Sequence, residues 1–188
     1  MFKELFKTTI SLIIKPSIAW QELNARHTEN NDKFLSDYVY PFIGMIVAAA
    51  FLGELISLKA FDLQIALKSA ILDVISYFGG FFLASYLICE TLARFFHREH
   101  NMSLCQRFTG YSSSLMFAIT IFLKLIPEFF FLQFVLIYTF YIVWEGARQY
   151  MNIDEAEQLK FVTISTIIIV ITPHILAFVV GFIIPGLR

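Results

Sequence analysis

Five long apolar stretches, separated by short charged connectors, constrain what this chain can fold into more than any other feature of its sequence. Of the 188 residues, 58% are hydrophobic and only 15% are charged, and the mean hydropathy is +0.71. A water-soluble globule of this composition would have too few polar groups to cover its surface. The sequence therefore predicts a polytopic membrane protein.

Stretches of about 20 apolar residues are long enough to cross a bilayer as helices. The third such stretch begins with polar residues 109–114, so we expect it to be tilted or shielded from lipid by its neighbours. Pro127 and Glu128 connect it to the fourth as a tight antiparallel hairpin. The predicted fold is all-α, a bundle of five transmembrane helices within residues 38–188, with spans at about Tyr38 to Ser57, Ser69 to Ala93, Thr109 to Ile126, Phe129 to Ala147 and Phe161 to Ile184.

Residues 1–37 are predicted to form a separate, amphipathic segment on the cytoplasmic face. Pro16 suits the first turn of a second short helix that carries Trp20, and residues 24–37 are polar and loop-like. The segment is expected to anchor the chain to the membrane, or alternatively to dock a partner protein. Five apolar residues recur at helical spacing opposite Lys3 and Lys7, which predicts an interfacial helix: Phe2, Leu5, Phe6, Ile10 and Ile13.

The distribution of basic residues predicts the orientation of the spans. Of the 14 Lys and Arg residues, ten lie in segments on the side of the N-terminus, which predicts a cytoplasmic N-terminus and an external C-terminus. The apolar run before Lys15 is too short for a signal peptide and lacks a cleavage site. Several aromatic residues fall at predicted membrane interfaces, namely Trp20, Tyr38, Tyr40, Trp144 and Tyr150.

Ionisable side chains near the cytoplasmic ends of spans two and four are the first candidate site. A charged residue costs about 2.5–3.5 kcal/mol at the bilayer centre, so buried carboxylates need partners. If the two spans are neighbours, we expect a hydrogen bond between spans that joins a carboxylate to an arginine or tyrosine. The predicted cluster consists of Glu90 and Glu145 with Arg94, Arg107, Arg148, Tyr86, Tyr138 and Tyr141.

A second, shallower layer is predicted at the opposite ends of the spans, from Glu54, Asp73, Lys124 and Glu128. On the predicted span, Asp73 lies about four residues, or ~6 Å, from the outer end. For both layers the alternatives are interfacial charges that pair or snorkel, a proton or cation path, and a site for a lipid headgroup or a partner.

His174 differs from these residues because it lies near the middle of the predicted fifth span, directly after Pro173. Proline removes a helical hydrogen bond and frees the carbonyl of Ile169, so a polar neighbour can share a network with exposed backbone. The side chain is either a neutral, hydrogen-bonded packing residue or part of a proton relay or gate.

Signals for catalysis and cofactors are weak. His97 and His100, with Cys105 downstream, are the only candidate metal ligands, and a solvated loop is the favoured interpretation of this segment. Cys89 and Cys105 are predicted to be unpaired and reduced. No cofactor site or catalytic motif is recognisable, and the net charge of −1 favours no nucleic-acid partner.

Small residues recur every four positions in three predicted spans, which builds smooth surfaces for close helix contact. These stripes predict packing among spans one, two and five, or alternatively a homodimer interface. They comprise Gly44 and Ala48 in span one, Ser76, Gly80 and Ala84 in span two, and Pro173, Ala177 and Gly181 in span five.

Several short motifs resemble a bacterial branch of the Yip family of Ypt/Rab-interacting membrane proteins. They lie at Ile14 to Trp20, Tyr40 to Gly44, Phe78 to Leu83, Gly110 to Ser114, Leu125 to Glu128 and Tyr141 to Gly146. The family's acidic Asp-Leu-Tyr-Gly-Pro motif is absent, and residues 37–41 in a comparable place read Asp-Tyr-Val-Tyr-Pro. Rab binding is therefore not carried over. The resemblance implies a five-helix protein of the bacterial cytoplasmic membrane that acts as a scaffold or trafficking-like factor.

The sequence favours a non-enzymatic protein that acts through contacts with membrane lipids or with other membrane or peripheral proteins. A small transporter or channel that uses intramembrane carboxylates is the alternative. A lipid-modifying enzyme is a third class, and it would need a pocket near the cytoplasmic carboxylates and histidines. The presence of a cavity, and the residues that it reaches, distinguishes these classes.

Overall fold

The computed structural model describes residues 2–26, 30–57 and 63–183, and within those ranges it contains helices and no strand. Four helical segments are long and apolar enough to cross a membrane, and a bent pair of helices makes a fifth candidate span. The predicted all-α polytopic bundle is confirmed. Three residues used in the predictions lie outside the described residues. Lys59 and Arg188 were counted for the orientation, and Ile184 was the end of the predicted fifth span.

Two short helices precede the spans, α1 (Phe2–Ile14) and α2 (Pro16–Ala25). Pro16 occupies the first turn of α2, as predicted. The apolar residues of α1 do not all face one way. Leu5 and Leu12 are buried against the bundle, whereas Phe2, Phe6, Ile10 and Ile14 form an exposed apolar stripe. The prediction of a purely interfacial helix was wrong for Leu5, because α1 also packs on the protein.

The first span begins earlier than predicted. It comprises α3 (Asn31–Phe34), a π-helical turn (Leu35–Val39) and α4 (Tyr40–Ser57). The side chain of Asn30 caps this helix, because its Oδ1 accepts a hydrogen bond from the backbone N–H of Asp32 at 3.1 Å. The expectation of a loop up to residue 37 was therefore wrong from Asn31 onward.

The second span is also longer than predicted and comprises α5 (Leu63–Asp73), a π-helical turn (Val74–Phe78) and α6 (Gly79–Phe95). Asp73 is the eleventh residue of α5, so it lies ~15 Å along the helix from Leu63 at 1.5 Å per residue. The helix therefore continues beyond the apolar window on which the predicted span was based, and the shallow position of Asp73 in the membrane stays a prediction.

The third span is a bent pair, α7 (Met102–Ser112) and α8 (Ser114–Leu125), with an angle of 47° between them. Every residue from 105 to 117 is buried. Neighbouring helices therefore shield the polar start of the predicted span, which was one of the two alternatives expected from the sequence. Ser113, at the bend, donates its hydroxyl to the carbonyl of Thr109 at 2.7 Å, which satisfies the side chain locally.

The fourth span comprises a 3₁₀ helix (Pro127–Tyr138) and α9 (Thr139–Gln149), and the fifth is α10 (Glu155–Ile183). The extended residue Ile126 alone separates α8 from the 3₁₀ helix, and these two helices pack together. The connection is as short as predicted, but Ile126 forms it, whereas Pro127 and Glu128 already belong to the 3₁₀ helix. Pro173 lies inside α10, which continues past it.

Two of the three small-residue stripes lie where helices meet. An ideal Cβ on Gly80 would lie 3.0 Å from the Cα of Pro173, so the second and fifth spans approach closely at this point. The stripe of the first span differs. Gly44 and Ala48 are exposed, and an ideal Cβ on Gly44 meets nothing within 4 Å. The prediction of close packing was wrong for these two residues because they point away from the described helices.

Candidate functional site

The predicted cytoplasmic cluster is not assembled across spans. Glu90 is paired on its own helix, since its Oε2 lies 2.7 Å from Nε of Arg94 one turn later. His100 is its second neighbour, with 3.8 Å between Nε2 and Oε1. Within residues 2–26, 30–57 and 63–183, no hydrogen bond links Glu90 or Glu145 to an arginine or tyrosine of another span.

The remaining members of that cluster point in different directions. Tyr86 and Tyr141 are 47% and 43% exposed, so their phenol groups face outward from the bundle. Arg148 is exposed, whereas Arg107 is buried. These positions give a polar belt at one end of the bundle rather than one convergent site.

The connector after the second span contains His97 and His100, the candidate metal ligands. His97 adopts a left-handed backbone conformation with φ of 50° at the end of the second span. In the part of the chain that the structure describes, no three His, Cys, Asp or Glu side chains are grouped as metal ligands. Cys89 and Cys105 are buried and unpaired.

A groove of about 890 Å³ lies between the second, third, fourth and fifth spans. Its volume is within the range of small-molecule sites. Residues at its rim, Phe130, Phe134 and Ile137, are 69%, 73% and 77% exposed. The groove is therefore open at the surface of the bundle, along exposed apolar side chains.

The groove has one charged end. Lys124 Nζ lies 2.6 Å from Oδ2 of Asp73, which joins the third span to the second. Asp73 is only 5% exposed, while the side chain of Lys124 keeps 33% of its surface accessible. Glu54 of the first span lies near enough for its carboxylate to repel that of Asp73. The structure thus brings three of the four residues of the predicted outer layer together, and Glu128 is exposed in the neighbouring hairpin.

Gly53 determines how closely the first span approaches Lys124. An ideal Cβ at Gly53 would overlap the carbonyl oxygen of Lys124, at 1.8 Å. Only glycine permits this contact between α4 and the last turn of α8. Gly53 lies outside the predicted small-residue stripes, although its position directly before Glu54 at the end of an apolar run is a usable signal.

Neutral polar groups continue along the wall of the groove. The hydroxyl groups of Tyr77 and Thr120 are 3.4 Å apart and link the second and third spans. Ser76 donates its hydroxyl to the carbonyl of Leu72 at 2.7 Å. These residues line the same groove as Asp73 and Lys124. Gln133 of the fourth span and Thr166 of the fifth add further polar groups, and most of the remaining lining is apolar.

His174 lines the groove from the fifth span. Its Nδ1 lies 2.9 Å from the carbonyl oxygen of Val170, a geometry that requires the proton on Nδ1. The side chain thus bonds to backbone of its own helix, but the acceptor is Val170 rather than Ile169, whose carbonyl was expected to be free. Neighbouring Thr172 likewise donates to the carbonyl of Ile168, at 2.6 Å.

The sequence of this chain matches a family model described as the Yip1 domain over residues 10–180. The chain belongs to the Yip family. The matched region includes α2, the candidate spans up to residue 180 and all residues that line the groove. No curated protein and no solved structure matches the chain. Together with the four to five candidate spans, the family assignment identifies a multi-pass integral membrane protein of the Yip type.

Proposed function

We propose that this Yip-domain protein is a non-enzymatic membrane-organising factor that acts by binding a bilayer lipid. The groove of about 890 Å³ between the second and fifth spans is the single observation that carries the proposal. Its rim is exposed and apolar at Phe130, Phe134 and Ile137. A lipid can enter such a groove sideways from the bilayer without crossing a polar barrier.

The composition of the groove supports a lipid over a water-soluble ligand. Aromatic and aliphatic side chains from four spans form most of its lining, and the charged groups are confined to the end at Asp73 and Lys124. Ligand sites commonly combine an apolar wall with a few polar groups that fix orientation. An amphipathic lipid matches this arrangement, because its acyl chains can contact the apolar wall while its headgroup contacts the charged end.

An enzyme that acts at the cytoplasmic carboxylates has less support. Glu90 is engaged by Arg94 on the same helix, and Tyr86 and Tyr141 face outward. None of these residues lines the groove.

The basic residues on the N-terminal side support a location in the bacterial cytoplasmic membrane with the N-terminus inside.

Lipid retention tests the proposal directly. Protein purified from lipid nanodiscs is analysed by native mass spectrometry, and we expect bound lipid to remain after detergent exchange. Ala177→Phe places a ring inside the groove and should remove the bound lipid. Ala48→Phe is the matched control, because Ala48 is exposed on the first span. Equal retention by both variants, or no retention by the wild type, would overturn lipid binding at this groove.

A transporter of ions or small solutes is the second candidate, because a buried ion pair and His174 line the same groove. Buried ionisable groups in membrane proteins often mark ion or proton paths. Flux assays in liposomes compare wild type, Asp73→Asn and Glu128→Gln. We expect no protein-dependent flux. Flux that Asp73→Asn abolishes and Glu128→Gln preserves would favour transport over the proposed role.

A further inference from the structure

We propose that the groove selects a zwitterionic phospholipid with a primary ammonium group, and that Lys124 binds its phosphate while Asp73 binds its ammonium. The inference rests on the proposed function, because it names which bilayer lipid the groove takes. It follows from the charge, burial and position of Asp73 and Lys124. The Oδ2 atom of Asp73 and the Nζ atom of Lys124 lie 2.6 Å apart at one end of the groove.

The burial of Asp73 limits which ligands are acceptable. Its residue surface is only 5% exposed, and a buried carboxylate that loses its partner without a replacement is strongly unfavourable. A ligand that attracts Lys124 away must therefore supply a new positive group to Asp73.

Ligand charge then separates the common phospholipid classes. An anionic headgroup satisfies Lys124 but leaves Asp73 and Glu54 without a new cation. A simple cation satisfies Asp73 and leaves Lys124 without its carboxylate. A zwitterionic headgroup brings both charges, so each member of the protein pair exchanges one partner for another and the site stays neutral.

Hydrogen bonding distinguishes a primary ammonium from a quaternary one. An ionised carboxylate only accepts hydrogen bonds, and an ammonium of the lysine type carries three donors. A choline group has no N–H and leaves the oxygens of Asp73 without donors, which is costly for a buried acceptor. The ethanolamine type of headgroup therefore fits this end of the groove better than the choline type.

The position of Asp73 and Lys124 suits a phospholipid whose headgroup lies at this end and whose acyl chains extend along the groove. Lys124 is in the last turn of α8, next to the hairpin at Pro127 where the third span gives way to the fourth. From Lys124 the lining follows α8 back to Met116, ~12 Å at 1.5 Å per residue. Ile137 and Ile167 are apolar lining residues from the fourth and fifth spans, so acyl carbon can occupy that part.

Competition between lipids tests the inference on the wild-type chain. Nanodiscs contain equal amounts of phosphatidylethanolamine, phosphatidylglycerol and phosphatidylcholine with the same acyl chains, and native mass spectrometry reports which lipid stays bound. We expect phosphatidylethanolamine to be retained about tenfold over the other two, which corresponds to about 1.4 kcal/mol. Equal retention of the three lipids, with retention still lost in Ala177→Phe, overturns the headgroup assignment and leaves lipid binding intact. Absence of any retained lipid overturns the proposed function itself.

Substitutions of Asp73 and Lys124 test which charge of the headgroup each residue binds. Asp73→Asn removes the group that binds ammonium and should shift the preference toward phosphatidylglycerol, because Lys124 then acts alone. Lys124→Gln should weaken retention of every phospholipid. Glu128→Gln is the control, since this exposed carboxylate of the same hairpin does not line the groove. An unchanged preference in Asp73→Asn protein with wild-type thermal stability contradicts the role of Asp73. If Asp73→Asn fails to fold, the wild-type competition still decides the headgroup.

Discussion

Trp20 of α2 donates its indole N–H to the carbonyl oxygen of Ile142 in the fourth span, with 2.9 Å between the two atoms. The Trp20 side chain is completely buried, and its ring packs so tightly that an ideal Cβ on Gly146 would lie 2.7 Å from it. This contact ties an N-terminal helix to the interior of the Yip-domain bundle. The helices before the first span are therefore part of the folded unit.

The first prediction concerns this anchor. Trp20→Ala removes a fully buried ring and its hydrogen bond, and replacing a buried tryptophan by alanine typically costs about 3–5 kcal/mol. Trp144→Ala is the matched control, because Trp144 is only partly buried and its loss should cost less. Chemical or thermal denaturation of the purified protein in detergent measures both. Equal destabilisation by the two substitutions would show that the docking of α2 contributes little.

The second prediction concerns the contact between the second and fifth spans. A methyl group at Gly80 would lie 3.0 Å from backbone and 3.1 Å from ring atoms of Pro173, so Gly80→Ala must push the helices apart. Overpacking of this kind costs about 1–3 kcal/mol. Gly44→Ala adds the same methyl group where nothing lies within 4 Å and should be neutral. A midpoint of denaturation that is unchanged in Gly80→Ala would contradict the close approach.

The third prediction concerns a buried hydroxyl network between α1 and two spans. Tyr38 Oη lies 2.6 Å from Ser114 Oγ and 3.2 Å from Thr9 Oγ1. Tyr38→Phe removes the shared member, and the loss of such a bond typically costs about 1 kcal/mol, with more if a buried hydroxyl is left unpaired. Tyr40→Phe serves as the control at an exposed position. Denaturation midpoints compare the two, and a larger loss in Tyr40→Phe would refute the network's contribution.

The number and type of helices could be predicted from the sequence, because each apolar run approaches the length that a bilayer requires. Helix ends were less predictable. Asn31 and its neighbours are polar, yet the cap at Asn30 and the burial of Phe34 extend the first span over them. Composition cannot show such an extension, because the stabilising contact comes from the tertiary structure rather than from lipid.

The candidate site was predictable only in part. The sequence placed Asp73 and Lys124 in one outer layer, but no spacing rule shows that residues on different spans meet at 2.6 Å. At the other end of the second span, Glu90 pairs with Arg94, the partner that lies four positions along the same helix. Depth along a span can be read from a sequence, whereas the direction in which a side chain faces depends on how the helices pack.

The fourth prediction follows from that local pair. The Glu90 side chain is 26% exposed and that of Arg94 is 75% exposed, so water screens their attraction. Glu90→Gln should change the free energy of unfolding by about 0.5 kcal/mol or less. Denaturation of wild type and variant under the same conditions measures the difference. A loss of several kcal/mol would instead indicate that Glu90 belongs to a dry, buried cluster.

The last prediction concerns the orientation of the bundle. Lys33 lies at the start of the first span and Glu128 in the hairpin between the third and fourth spans. With a cytoplasmic N-terminus, a membrane-impermeant thiol reagent applied to intact cells should label Glu128→Cys and leave Lys33→Cys unlabelled until the cells are opened. The native thiols should contribute little background, because Cys89 and Cys105 are 0% and 1% exposed. Labelling of both positions from outside would contradict the placement of these residues on opposite sides, and labelling of Lys33→Cys alone would reverse the orientation inferred from the basic residues.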